Sequence, residues 1–176
     1  MRAFAPETIV LPDRKMLVAI SVGDPNDVGD EVFARLYGTA YGTKFKIYKP
    51  KGLAVTFGKL CAMWPDAHLK PKNEWTGIWG VPVPDFFDEK YLVQKDPKNP
   101  VKLEIWEGGT YAQILHKGPY SEEGPTIVKL HEFIENELHI PMAKVPGSHE
   151  EEYLTSPDAK EVKLLFVIES AGNLYL

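Results

Sequence analysis

The chain has 176 residues and a net charge of −5, from 20 basic and 25 acidic side chains, with 44% hydrophobic residues. This length suits one domain or two small halves that share a core, and the composition is typical of a soluble globular protein. The acidic balance argues against a nucleic-acid-binding protein, no apolar stretch is long enough to span a bilayer, and no signal-peptide pattern opens the chain. We therefore expect a cytoplasmic protein that binds neither nucleic acid nor membrane.

The first half of the chain is predicted to fold as strand, turn, helix and two further strands. Residues Lys15–Val22 are rich in β-branched and apolar residues, and Asn26 or Asp27 can cap the helix that follows. The helix carries apolar residues at every fourth position: Val28, Val32, Leu36 and Ala40. The runs Leu53–Trp64 and Glu74–Val83 are then predicted to be the two strands of a hairpin.

The second half repeats this order. Val101–His116 is strand-like but interrupted by a glycine pair, and Ser121 can cap the next helix. That helix has its own apolar stripe: Ile127, Leu130, Ile134 and Leu138. Two strands are predicted after it, around His149–Thr155 and Val162–Ile168.

The repeated order predicts an α+β protein built from two β-α-β-β halves within a single domain, 1–176. The halves span roughly 15–83 and 101–169, and the polar, proline-bounded segment 84–100 is expected to link them. A duplication of this kind predicts pseudo-twofold symmetry, with a central cleft between the halves where a ligand binds.

Several common catalytic and binding sites are missing from the sequence. Neither a glycine-rich phosphate loop nor a Gly-x-Ser-x-Gly motif is present, so no nucleotide cofactor or serine nucleophile is expected. Cys61 lies in an apolar run and is interpreted as a buried core residue. His131 and His149 each precede a glutamate, but neither has a second histidine four residues on, so no metal and no cofactor are predicted.

The most unusual feature is the run of glutamates at 150–152. On a strand, His149, Glu151 and Tyr153 project from one face of the sheet, and the intervening residues project from the other. In a cleft, Glu151 would be a partly desolvated carboxylate suited to general base catalysis or to binding a cation. A solvated acidic strand is the simpler interpretation, and the residue pattern alone leaves both open.

Aromatic residues form the second candidate feature. Trp75 and Trp79 lie on one face of a predicted strand with Gly77 between them, an arrangement that can wall a flat ligand or can simply be core. Further aromatic residues are candidates for ligand binding: Tyr41, Phe45 and Tyr111.

The second half resembles a known family nearly continuously. It contains Glu107-Gly108, the run Ala112-Gln113-Ile114-Leu115-His116-Lys117-Gly118-Pro119-Tyr120 with Glu123, then Pro125-Thr126-Ile127, Leu130-His131-Glu132-Phe133-Ile134 and His149-x-Glu151-x-Tyr153-Leu154-x-Ser156-Pro157. In these residues the chain is similar to GyrI-like small-molecule-binding domains. The first half is similar through Gly23-Asp24-Pro25-Asn26, Tyr41 to Phe45 and the strand with Trp75 and Trp79. The chain thus resembles the stand-alone branch that includes cyclopropanoid cyclopropyl hydrolases.

The resemblance implies an SHS2-type duplicated fold and a glutamate, Glu151, at the base of an aromatic pocket with Tyr153 beside it. It also implies that Trp75 and Trp79 belong to the aromatic wall. His116, Tyr120 and Glu123 belong to the motif as well, and we expect them to serve the join between strand, turn and helix rather than the chemistry. The chain departs from the family at Glu150, at Glu152 and in lacking a closing arginine. We expect the face with Glu150 and Glu152 to be more exposed than usual, or salt-bridged to lysines.

Two classes of function follow from the resemblance. The first is an enzyme that hydrolyses the strained ring of cyclopropanoid DNA-alkylating toxins, with Glu151 as general base and Tyr153 as a hydrogen-bond donor. The second is a non-catalytic multidrug-binding protein that sequesters lipophilic cationic or aromatic compounds. A gyrase-inhibitor-like protein-binding module and a tetrapyrrole binder are further alternatives. The expected partner is a hydrophobic or aromatic small molecule, and a monomer and a homodimer are both compatible with the sequence.

Overall fold

The computed structural model describes residues 5–67, 69–119, 122–141 and 149–155, and the backbone of 164–170. The strands in chain order are β1 (Glu7–Leu11), β2 (Arg14–Val22), β3 (Cys61–Trp64), β4 (Thr76–Pro82), β5 (Lys102–Trp106), β6 (Gly109–Lys117), β7 (His149–Tyr153) and β8 (Leu164–Ser170). The two α-helices are α1 (Pro25–Thr43) and α2 (Gly124–Asn136). The protein therefore has the predicted α+β fold.

The chain divides into two compact units. The central unit is Arg14–Trp106, and the terminal unit combines Met1–Asp13 with Glu107–Leu176. Strands of the central unit are ordered β3-β4-β2-β5, and strands of the terminal unit are ordered β7-β8-β6-β1. Each unit thus has the predicted β-α-β-β order plus one edge strand, antiparallel to its neighbour. The pseudo-twofold symmetry, the cleft and the boundaries of the halves remain predictions.

In the central unit, β2 is buried on both faces. Leu17 and Ala19 pair with Val81 and Trp79 of β4, and Trp79 makes an edge-to-face contact with Phe33 of α1, with ring centroids 4.9 Å apart. The opposite face of the sheet carries a second apolar cluster, made of Met16, Val18, Cys61 and Trp106. Cys61 is only 1% exposed and is a core residue, as predicted.

Helix α1 begins earlier than the sequence suggested. Neither Asn26 nor Asp27 is the N-cap; the side chain of Asp24 accepts a hydrogen bond from the backbone amide of Asn26 at 2.9 Å. Pro25 occupies the first turn, where its missing N–H costs no hydrogen bond. The predicted apolar stripe is confirmed, since Val32, Leu36 and Ala40 are fully buried.

The predicted strand Leu53–Trp64 is too long. Only Cys61–Trp64 is a strand, because its partner β4 ends at Pro82, which has no N–H to continue the ladder. Gly58 donates one last backbone hydrogen bond to Pro82 at 2.9 Å. The partner strand is correspondingly Thr76–Pro82 rather than Glu74–Val83.

The segment 84–100 is irregular and packs against the central unit. Two threonine hydroxyls on α1 hold it: Thr43 accepts from the amide of Val93 at 2.9 Å, and Thr39 accepts from the amide of Lys95 at 3.0 Å. Phe87 is fully buried in the same region. The sequence pattern did not indicate this packing, because the segment is polar and has no periodicity.

The terminal unit has a separate core. Ala112 and Ile114 of β6 pack with Leu130 and Ile134 of α2, and all four are nearly or fully buried. The edge strand β1 was not predicted, because its five residues carry only a short apolar pattern. The predicted cap Ser121 lies outside the described residues.

Candidate functional site

The candidate site is built around Glu151, on strand β7 of the terminal unit. Glu151 is 5% exposed, and its Oε2 accepts a hydrogen bond from the Tyr153 hydroxyl. Its Oε1 is 3.3 Å from Nε2 of His149. The prediction that these three side chains share one face of the strand is therefore confirmed.

The strand register shows which face of the sheet this is. Glu151 is opposite Val167 on β8, and Val167 is in turn opposite Ile114 on β6. Because directly paired residues project from the same face, Glu151 lies on the face covered by α2, with which Ile114 packs. Burial of Glu151 follows from this position, since helix and sheet together exclude water.

A second carboxyl group, that of Glu123, completes the site. Glu123 immediately precedes α2, makes no side-chain capping hydrogen bond and is 8% exposed. Its Oε1 is 3.8 Å from Nε2 of His149, at the limit of an ion pair. Among the described residues, no hydrogen-bond donor satisfies this buried oxygen.

Burial, and next to it the neighbouring charge of Glu151, raise the pKa of Glu123 to about 8, while His149 opposes the shift. The carboxyl of Glu123 is therefore mostly protonated at neutral pH.

Sequence reasoning missed this role of Glu123, which it assigned to the strand–helix join. The glutamate is 28 positions from Glu151 in the chain, and only the packing of α2 on the sheet brings them together. The exclusion of a metal site also depended on a second histidine, whereas the structure gathers Glu123, His149 and Glu151 with ligand atoms all within 4.8 Å. The available signal was a glutamate at the N-cap position of α2, where serine, threonine, aspartate or asparagine is usual.

The opposite face of β7 differs from expectation in one respect. Glu150 was expected to be more exposed than usual, or salt-bridged to lysines; it is only 3% exposed, so the first alternative is wrong. Glu152 is partly buried. Glu150 is opposite Ile168 of the neighbouring strand β8.

The predicted tryptophan pair lies in the central unit and contacts a third indole. Trp64 lies 5.9 Å from Trp75 and 5.0 Å from Trp79 between ring centroids. The Trp79 N–H donates to Ser21 at 2.9 Å. The space above Gly77 is filled, since a Cβ placed there would lie 2.6 Å from Nε1 of Trp79. Trp64, which the sequence left unassigned, is thus part of the same aromatic cluster.

The remaining aromatic candidates occupy separate places. Tyr41 and Phe45 follow one another along the end of α1 and the next turn, stack at 6.1 Å and are about half exposed. Lys44 lies over both rings, at 5.8 Å and 5.7 Å from the centroids. Tyr111 belongs to the terminal unit, where its hydroxyl donates to the carbonyl of Glu107 at 2.8 Å.

Comparison with protein families identifies the chain. The model of the GyrI-like small-molecule-binding domain matches residues 5–165. The chain belongs to this family. A GyrI-like domain binds small molecules, and the protein is therefore a small-molecule-binding protein with the α+β fold of that family. A search of curated proteins gives no significant match.

Solved structures share the fold of this GyrI-like protein. A hydrolase from Listeria innocua is 24% identical with a TM-score of 0.76, and covers 96% of this chain and 93% of its own. A second hydrolase from the same organism is 23% identical with a TM-score of 0.75, and the match covers 96% of this chain and 92% of the hydrolase. An uncharacterized conserved protein, also from Listeria innocua, is 26% identical with a TM-score of 0.74, and the match covers 95% of this chain and 92% of that protein. None of the helices within the described residues is long and apolar enough to cross a membrane.

Proposed function

We propose that this GyrI-like protein hydrolyses a strained cyclopropane ring in a flat, aromatic, electrophilic small molecule. The observation that carries the proposal is the buried Glu151 carboxylate, held by the Tyr153 hydroxyl and placed beside His149. A carboxylate removed from water and fixed by a donor is a competent general base. The two Listeria structures named as hydrolases share the fold and are compatible with such chemistry.

Each residue of the cluster has a distinct part in the proposed reaction. Glu151 takes a proton from an attacking water molecule, and Tyr153 orients the carboxylate through its hydrogen bond. The Tyr153 hydroxyl is therefore engaged with Glu151, which favours a positioning role over direct stabilisation of the substrate. Glu123, whose raised pKa leaves it mostly protonated at neutral pH, adds little negative charge beside Glu151.

The proposed step balances without a cofactor. The water oxygen forms a bond to the less hindered cyclopropane carbon as its proton passes to Glu151. The carbon–carbon bond of the ring breaks, and its electron pair moves through the conjugated dienone to the carbonyl oxygen, which becomes a phenolate and takes a proton from solvent. Positioning and general base catalysis are each worth roughly two or more powers of ten in rate, and release of ring strain supplies further driving force.

The direct test follows a cyclopropanoid alkylator by absorbance and mass spectrometry. Wild-type protein should produce the water adduct, and Glu151→Gln should reduce the rate by at least about a hundredfold. Glu152→Gln is the matched control, because it removes a neighbouring carboxylate from the other face of the same strand. Hydrolysis by Glu151→Gln at the wild-type rate would refute the assigned role.

Sequestration of lipophilic cations is the second candidate function. It is favoured by the lack of a lysine or arginine paired with Glu123 or Glu151 within the described residues. A buried carboxylate without a basic partner attracts a cation that brings its own charge into the site. Tight binding of a cationic dye that weakens in Glu151→Gln, with no product from the alkylator, would establish this function instead.

The aromatic candidates remain proposals for ligand contact. Substituting Trp75 or Trp79 by leucine should weaken ligand binding if either indole stacks on the ligand, because contacts between aromatic rings contribute binding free energy beyond that of the buried area. Tyr41→Leu, Phe45→Leu and Tyr111→Leu test the other predicted contacts in the same assay. A substitution that lowers thermal stability but leaves the dissociation constant unchanged assigns that residue to the core.

A further inference from the structure

The cluster of Glu123, His149 and Glu151 has the composition of a metal site. Nitrogen from histidine and oxygen from glutamate are both ligands that zinc accepts in proteins, and catalytic zinc sites commonly have three protein ligands and one open position. The three side chains each offer one ligand atom, and these atoms all lie within 4.8 Å of one another. We propose that the cluster binds one Zn²⁺ ion.

The distances are close to those that tetrahedral zinc requires. With bonds of about 2.0 Å, ligand atoms of a tetrahedral site lie about 3.3 Å apart. Nε2 of His149 and Oε1 of Glu151 are already 3.3 Å apart, and Nε2 of His149 and Oε1 of Glu123 are 3.8 Å apart. All three ligand atoms lie within 4.8 Å of one another, so the carboxyl groups would need to approach by at most about 1.5 Å to reach the tetrahedral spacing.

An independent observation also points to a ligand. Oε1 of Glu123 is buried and accepts no hydrogen bond from the described residues. Glu123 as a whole is 8% exposed. A buried oxygen without a partner is costly, and a metal ion would satisfy it. The same oxygen is the one that approaches His149, so it is directed into the cluster.

Charge and orientation favour zinc further. Zinc would displace the proton of Glu123 into solvent, and the two carboxylates would then balance the charge of the divalent cation. No lysine or arginine in the described part of the chain is paired with either carboxyl group. The Tyr153 hydroxyl holds the other oxygen of Glu151, which is the kind of outer contact that orients metal ligands. Magnesium and calcium prefer more ligands, all of them oxygen, and fit this donor set poorly.

Zinc binding does not depend on the proposed hydrolysis, since it is measured without any organic ligand. It has one consequence for that function: an ion held by Glu151 would occupy the carboxylate that the reaction needs as a base. Zinc is therefore expected to inhibit the hydrolase, and removing zinc with a chelator should restore it.

Isothermal titration of the full-length, chelator-treated protein with zinc chloride is the first test. We expect one ion per chain, and at least about tenfold weaker binding in His149→Asn and in Glu123→Gln. His139→Asn is the matched control, because His139 is exposed and its positive φ of 56° is tolerated by asparagine. The control should bind as the wild type does. Absence of binding, or equal loss in the control, would overturn the proposal.

Cobalt substitution tests the same site in the unmodified protein, so the result does not depend on how well the variants fold. Cobalt(II) in a four-coordinate nitrogen and oxygen site absorbs strongly in the visible range, whereas six-coordinate cobalt absorbs weakly. Strong bands that disappear when zinc is added support the proposal. Weak bands alone indicate adventitious surface binding and contradict it.

Discussion

Replacing Glu123 by glutamine should change how the stability of the protein depends on pH. The pKa of Glu123 is raised to about 8 by burial and by Glu151, against about 4.5 in the unfolded chain. The folded protein therefore binds one more proton than the unfolded chain between these two values. The free energy of unfolding contributed by this group falls as the pH rises through that window.

The size of the effect follows from the two pKa values. Each tenfold change in an ionisation equilibrium is about 1.4 kcal/mol, so the contribution of Glu123 should fall by roughly 3 to 4 kcal/mol between pH 5 and pH 8. Glutamine has the size of the protonated carboxyl and does not titrate. The variant should therefore lose this pH dependence and be more stable than the wild type at pH 8.

Urea unfolding at several pH values between 5 and 8, with EDTA present to remove metal ions, measures the difference. Glu122→Gln is the control, because Glu122 precedes Glu123 in the chain and is exposed; it should follow the wild-type pH dependence. Parallel curves for the wild type and Glu123→Gln would refute the reasoning, because they would mean that Glu123 ionises alike in both states.

Three further outcomes follow from other parts of the structure. Hydrogen bonds from Lys70 and from the amide and hydroxyl of Thr76 lower the pKa of Asp66 to about 2, so NMR titration of the carboxyl should place its midpoint there. The stabilisation that the ionised carboxyl gives should disappear as the pH falls from about 4 towards 2. Gly77→Ala should cost about 1–3 kcal/mol and alter tryptophan fluorescence, because the new Cβ would lie 2.6 Å from Nε1 of Trp79. Ile134→Ala should lower the free energy of urea unfolding by about 2–5 kcal/mol, since this side chain is fully buried.

Much of the fold could be predicted because local patterns decide it. The apolar stripes of both helices and the strand Arg14–Val22 are visible in the spacing of residues, and the structure agrees. Errors occurred where the deciding contact is distant in the chain. The strand predicted from Leu53, for example, is shortened by Pro82. The cap of α1 is a local error instead: neighbouring residues could each cap the helix, and the side chain of Asp24 is the one that reaches the amide of Asn26.

Part of the candidate site was predictable from local sequence patterns as well. Alternation along a strand places His149, Glu151 and Tyr153 on one face, and their hydrogen bonds agree. Nothing local indicates that Glu123 reaches them, because that contact depends on how α2 lies across the sheet. The burial of Glu150 was likewise not predictable, because its charge and its acidic neighbours indicated a solvated face of the strand.

The pairing of β1 with β6 has a consequence for protein synthesis. Glu7 is paired with Gln113, more than a hundred positions later, whereas every strand of the central unit lies between Arg14 and Trp106. A ribosome has thus delivered all residues of the central unit before it reaches β6. Strand β1 therefore cannot pair with β6 until the whole central unit has been synthesised.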